Sequence, residues 1–329
     1  MEKWFRAKYQ PPIGLGKNGS RVTGCQEHID LSRQAATEGM VLLKNENQIL
    51  PLRRGTKVAL FGKGTIDYVK GGGGSGDVTV AYTRNLYQGL QEYEQSGDVC
   101  IFAELAEFYQ ENIHEQYKAG AQPGMTVEPE VPADLLQRAR AYTDTAVISI
   151  CRYSGEDWDR KLGEGEFHYD YAPYVEELLK KSDEIFDRGD FYLTSKEEAM
   201  TELVMKTFPN VIVVMNVGGM VDTMWFAERK EISGVLMAWQ GGMEGGLAMA
   251  DVLLGKANPS GHLSDTLAKE ITDYPSTEVF HESQEYAEYI EDIYVGYRYF
   301  ETIPGAMEKV NYPFGFGLSY TEFQIEVAE

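Results

Sequence analysis

Glu156 stands inside Cys151-Arg-Tyr-Ser-Gly-Glu-Asp-Trp-Asp-Arg160, a stretch that gathers a carboxyl group with Arg152, Trp158, Asp159 and Arg160. A carboxyl group that can give and take a proton, an aromatic face on which a sugar ring can stack, and charged neighbours suit acid/base chemistry on a polar substrate. The same ten residues also read as an ordinary solvated loop with a local Asp–Arg pair, and alone they do not decide between the two. Gly71-Gly-Gly-Gly-Ser-Gly76 is the second stretch of chemical interest, because glycines open backbone conformations closed to other residues and let main-chain amides approach a ligand. Glycine-rich turns after a first strand also cradle phosphates. The spacing here, however, is neither G-x-G-x-x-G nor G-x-x-x-x-G-K-S/T, and the next helical pattern begins about ten residues further on, at Leu86.

The elements that must position these residues follow from periodicity. Residues 146–150 have the length and β-branched content of a buried strand, so the Glu156 loop leaves a strand at its carboxyl end, where ligands bind in open α/β sheets. Residues 57–62 are predicted as the strand feeding the glycine loop, with further strands at 98–102, 210–215 and 234–239. Helical patterns cover 32–45, 86–94, 132–143, 196–207, 221–227 and 247–254. This alternation predicts a parallel, helix-covered sheet. In the first helix Leu31, Ala35, Met40, Leu42 and Leu43 make the apolar side. Residues 1–27, broken by Pro11, Pro12 and four glycines, read as an arm. Residues 28–329 form the domain proper, with an acidic, aromatic insertion at about 162–188 that is either a lid or a decorated surface. Trp239 and Glu244 sit in another glycine-rich loop and read as structural, a packing aromatic and a helix-initiating acid.

Composition narrows the partners. The 329 residues suffice for one large α/β domain, and 52 acidic against 30 basic residues leave a net charge of −22. That charge repels polyanions, which argues against nucleic acid and anionic membrane and for a neutral substrate. Twenty-one tyrosines suit hydroxyl-bearing ligands, although packing accounts for most of them. Cys25, Cys100 and Cys151 lack C-x-x-C spacing, are too few for a disulfide scaffold or zinc cage, and read as buried thiols. No apolar segment of signal-peptide or membrane-spanning length is found, so a soluble cytoplasmic protein is expected.

Eight stretches in order resemble glycoside hydrolase family 3, specifically the α/β sandwich domain that accompanies that family's catalytic barrel. They are residues 38–46 with Leu50-Pro51-Leu52, 72–76, 152–160, 189–193, 244–255, 258–261, 295–300 and 312–320. The resemblance implies a three-layer α/β/α sandwich with a mostly parallel sheet of about six strands, the last near residues 262–266 and antiparallel. It implies that Glu156 is the general acid/base of a retaining β-glycosidase, β-glucosidase-like, acting on terminal β-linked sugars. Arg152, Ser154, Trp158, Asp159 and Arg160 would bind substrate or orient the loop, and Gly73 and Ser75, with Trp158, would border the outer sugar subsite. Desolvation against a facing domain would raise the pKa of Glu156. Asp157, where the family usually has glycine, would raise it further if it faced the same way. Glu164 and Glu166 rank below Glu156 as the acid. No metal or organic cofactor is implied.

A retaining glycosidase also needs a second carboxyl group roughly 5 Å from the first. In this family that nucleophile lies on the barrel, which takes about 250 residues that do not occur here. The family 3 barrel is therefore the expected partner. With the sandwich directly after Met1, the order resembles family members of the inverted type. An excised domain, a truncated frame and half of a split enzyme all remain open, as does a homo-oligomer. A non-catalytic carbohydrate-binding or interaction module derived from such an enzyme is the alternative, and a nucleotide-binding module comes third.

Overall fold

Thr145–Cys151 offers no polar side to water: all seven residues are buried, so the segment forms a strand covered on both faces. The computed structural model describes residues 24–156, 173–280, 283, 285–322, 324 and 326. In chain order these form α1 (Gln26–Gly39), β1 (Val41–Asn45), β2 (Thr56–Phe61), α2 (Leu86–Glu94), β3 (Val99–Ile101), α3 (Ala103–Lys118), α4 (Ala133–Tyr142), β4 (Thr145–Cys151), α5 (Pro173–Ile185), α6 (Ser195–Thr207), β5 (Asn210–Asn216), α7 (Met224–Ala227), β6 (Ile232–Met237) and α8 (Gly245–Leu253). A two-stranded antiparallel ribbon, β7 (Leu267–Ala268) with β8 (Val310–Tyr312), and the short α9 (Tyr297–Thr302) between them complete the described chain.

The six-stranded sheet has the order β1-β6-β5-β4-β2-β3. Strands β2 to β6 pair in parallel, and β1 joins the β6 edge antiparallel. Helices α1 and α2 pack on α8, while α3 and α4 pack on each other and on β2, giving the three-layer α/β/α sandwich. One continuous apolar core runs through the sheet, from Met40 and Val58 to Val213 and Leu236. Local chemistry sets the helix starts: Asn85 with Gln88, and Thr194 with Glu197, form reciprocal capping boxes at α2 and α6. Among the described residues no helix is long and apolar enough to cross a membrane.

Three expectations need correction. The helix predicted over 32–45 ends at Gly39, and residues 41–45 are strand β1. The run Met40-Val-Leu-Leu43 is apolar at every position, which serves a strand as well as a helix, and pairing with β6 decides the matter. Residues 262–266 therefore do not supply the sixth strand: the antiparallel edge comes from the start of the domain, and Leu263 instead exchanges backbone hydrogen bonds with Gly315 and Phe316. Of the three thiols only Cys151 is buried, since Cys100 occupies the outward position of the short edge strand β3, and Cys25 precedes α1. Helix α3, a sixteen-residue element, is an addition to the helices expected from periodicity. Residues 1–23, most of the proposed arm, and residues 157–172, the end of the Glu156 stretch with the first part of the proposed insertion, lie outside the described residues.

Candidate active site

Two loops meet at the carboxyl edge of the sheet, one leaving β2 and one leaving β4. Turning out of β2 requires Gly62, whose φ is +86° and where a Cβ would lie 2.3 Å from the Ser149 carbonyl oxygen. The chain then runs through Val69 into the glycine stretch. There the Gly73 N–H donates to the Ser154 carbonyl at 2.9 Å, and Gly73 and Gly155 pair as a parallel bridge. Side chains would prevent this approach. A Cβ on Gly73 would sit 1.5 Å from the Tyr153 hydroxyl, and one on Gly74, whose φ is +67°, would sit 2.2 Å from Glu156 Cβ.

Glu156 is exposed at the tip of this pair, and its carboxylate is held by a clasp. The Ser75 N–H donates to Oε2 at 2.6 Å, and the Ser75 hydroxyl donates to the same oxygen. The Ser75 hydroxyl first and its amide second hold this carboxyl below its ordinary value. Among the described residues the two Ser75 donors outweigh the opposing effect of burial and favour the charged form; the raised pKa expected for Glu156 is tied to desolvation against a facing domain. Beside the clasp a cavity of about 380 Å³ is lined by Tyr68, Lys70, Gly72, Asp77 and Tyr153 among others. Ser154 lies under the loop, close to Gly218 and Gln240.

Arg152 points inward. It is 3% exposed, with its guanidinium turned away from the surface. All five guanidinium N–H groups are used: two donate to Glu197 at 2.8 and 2.7 Å, and the others to the carbonyls of Asp190, Cys151 and Tyr192. Glu197 on α6 is fully buried, and the Arg152 charge keeps its carboxyl below the usual range against the opposing effect of burial. Trp158, Asp159 and Arg160, like Asp157, Glu164 and Glu166, lie outside the described residues.

Several supports were not foreseen from sequence. Asn216, at the end of β5, accepts from the Val69 N–H at 2.8 Å and donates to the Val69 and Trp239 carbonyls, which joins the loops after β2, β5 and β6. Asp67 accepts from the Gly124 N–H, Tyr117 and Thr126, and buried Lys63 donates to the Gly124 and Thr126 carbonyls. Glu128 accepts from the Lys63 N–H at 2.6 Å and from Tyr109 at 2.9 Å. The one available signal was a polar residue at the end of an apolar strand, as at Asn216. Glu244 stands at the N-cap of α8 but makes no cap hydrogen bond; it is buried, accepts from Tyr82 and lies 3.4 Å from the Arg84 guanidinium.

Burial pushes the Glu128 carboxyl up to about 8. The folded chain therefore binds a proton more tightly than the unfolded chain, whose glutamates titrate near about 4.3. The contribution to stability is fully present below that lower value and is lost as pH rises towards 8, at up to about 1.4 kcal/mol per pH unit. Glu128→Gln, which stays neutral, is expected to flatten this slope in urea unfolding between about pH 5 and about pH 8. Parallel wild-type and mutant profiles would refute it.

The fold and these loops have counterparts. The family model described as the glycosyl hydrolase family 3 C-terminal domain matches residues 40–320. Beta-glucosidase A of Butyrivibrio fibrisolvens is 60% identical over 326 residues, which are 99% of this chain and 39% of that protein. The crystal structure of a β-glucosidase from Paenibacillus barengoltzii superposes with a TM-score of 0.75 at 38% identity, covering 91% of this chain and 30% of that one. The β-glucosidase 3B of Thermotoga neapolitana, in complex with α-D-glucose, gives a TM-score of 0.74 at 33% identity, covering 92% and 40%. This chain thus spans about two fifths or less of the length of these relatives.

Proposed function

Because this chain belongs to glycoside hydrolase family 3, as that family's C-terminal domain, we propose that it carries the general acid/base, Glu156, of a retaining β-glycosidase of the β-glucosidase type. The observation that carries this reading is the clasp: an exposed carboxylate at the carboxyl edge of the sheet, held at one oxygen by both Ser75 donors, with the other oxygen free of them. Glu156 protonates the departing glycosidic oxygen in the first step. As a carboxylate it then takes a proton from the water that attacks the glycosyl-enzyme. The Ser75 donors favour the charged form that the second step needs. Burial against the domain that brings the nucleophile would shift the balance towards the acid needed in the first. That nucleophile is a carboxyl group roughly 5 Å away, contributed by the family 3 barrel.

The test uses an enzyme in which this chain replaces the matching 326 residues of the Butyrivibrio relative. Glu156→Gly in that graft, assayed on an aryl β-glucoside, is expected to lose turnover and to regain it with added azide, giving the β-glucosyl azide. Azide attacks the glycosyl-enzyme without needing a base. Full activity without azide would move the role to another carboxyl. An inactive graft with intact Glu156 would favour a non-catalytic carbohydrate-binding domain.

A further inference from the structure

Residues 285–295 cross the surface as a strap held in shape by turn bonds, the Asp292 N–H to Tyr289 at 3.1 Å and the Tyr294 N–H to Glu291 at 2.8 Å. Its apolar residues face outward: Tyr289 is 90% exposed, Ile293 68%, Tyr286 56% and Val295 51%. Seven of the fourteen exposed large apolar side chains among the described residues fall between 280 and 295, so this is a patch and not scatter. Glu285, Glu288, Glu291 and Asp292 are interleaved with them, and the strap has no Lys or Arg. Beneath it a cavity of about 390 Å³ opens between Phe191, Met220, Tyr274 and Val295.

This patch adjoins the candidate active site. Phe191, which lines the cavity, lies between Asp190 and Tyr192, two of the three residues whose carbonyls accept from Arg152, and Arg152 is four positions from Glu156. Gly219 and Met220, on the opposite wall, follow β5 at the same carboxyl edge of the sheet. The rest of the enzyme must approach that edge, because its carboxyl group has to come within roughly 5 Å of the Glu156 carboxyl group. The relatives carry well over half of their length outside the part matched here. Aromatic side chains are enriched at interface centres, and the carboxylates interleaved here would be matched by cations on whatever covers them.

We propose that the strap and the cavity beneath it are the surface on which the nucleophile-bearing part of the enzyme docks, presenting an apolar face rimmed by Lys or Arg. This rests on the function proposed above. Hydrogen–deuterium exchange of the 329-residue chain alone and within the graft tests it. Amides of residues 286–295 are expected to exchange at least tenfold more slowly in the graft. Glu156→Gln in the graft should leave that protection intact even though activity is lost, so failure of the catalytic reading and failure of docking are told apart. Equal exchange in both settings overturns the proposal. So does protection in the isolated chain that grows with its concentration, which would make a second copy the occupant. As a second arm, Tyr289→Ser with Ile293→Ser should leave the urea midpoint of the isolated chain unchanged and lower the Tm of the graft by at least about 2 °C. An unchanged Tm overturns docking as well.

Discussion

In the grafted enzyme, Glu156→Gln is expected to lower kcat/KM for an alkyl β-glucoside by about 10²- to 10⁴-fold, the usual contribution of a general acid. For 2,4-dinitrophenyl β-glucoside, whose leaving group departs without a proton, kcat/KM should stay within about tenfold of wild type. There kcat and KM should fall together, because the glycosyl-enzyme accumulates when no base activates water. The alkaline limb of the wild-type kcat/KM profile, which reports loss of the Glu156 proton, should disappear. Equal losses on the two substrates would mean that Glu156 positions the sugar and does not transfer the proton. The contrast between leaving groups is what geometry alone could not produce. Ser75 would be a poor acid, yet it is well placed to keep the carboxylate at one position.

The second large effect is on folding. Arg152→Met leaves Glu197 fully buried without its cation and removes the donors that reach Asp190, Cys151 and Tyr192. Breaking a buried pair from one side costs about 3–5 kcal/mol, a large share of the roughly 5–15 kcal/mol that holds a domain folded. Urea unfolding should show a midpoint lowered accordingly. Arg152→Met with Glu197→Met should recover part of the loss, because no uncompensated charge then remains inside. A single mutant within about 1 kcal/mol of wild type would mean that the pair does not anchor the loop. Arg152→Lys should resemble Arg152→Met more than wild type, since an ammonium cannot reproduce a five-donor fork.

What the sequence revealed depends on how far apart the partners lie. Strands β4, β5 and β6 are continuous apolar runs bounded by polar residues, and such runs declare themselves locally. Strand β1 does not, because Met40 to Leu43 would be apolar on either period and only its distant partner settles it. Glu156 and the glycine stretch could each be picked out by type. Their register, Gly73 against Gly155 and Ser75 against Glu156, is a meeting of two loops about eighty residues apart that no spacing encodes. By type Arg152 reads as one of the site's charges, because arginine is usually solvated. It turns inward because Glu197 waits on a helix 45 positions later. Lys63, Asp67 and Glu128 escaped notice for the same reason, being ordinary surface types whose burial is paid for by partners elsewhere in the chain.

Strand β1 has a consequence for biosynthesis. Val41 pairs with Met237, and Leu42 also pairs with Leu318, so a segment near the start of the domain has both its backbone neighbours far downstream. At about 5–20 residues per second, a ribosome emerging from β1 needs on the order of ten seconds or more to deliver the strand it joins. Until then Met40 to Leu43 is a nascent apolar run without a sheet. The parallel strands made in the meantime expose the β6 edge as soon as it forms, and β1 is the one piece already waiting to cover it. The order of synthesis thus supplies the cap before the edge it protects, at the cost of keeping a sticky tetrapeptide accessible to chaperones until β6 emerges.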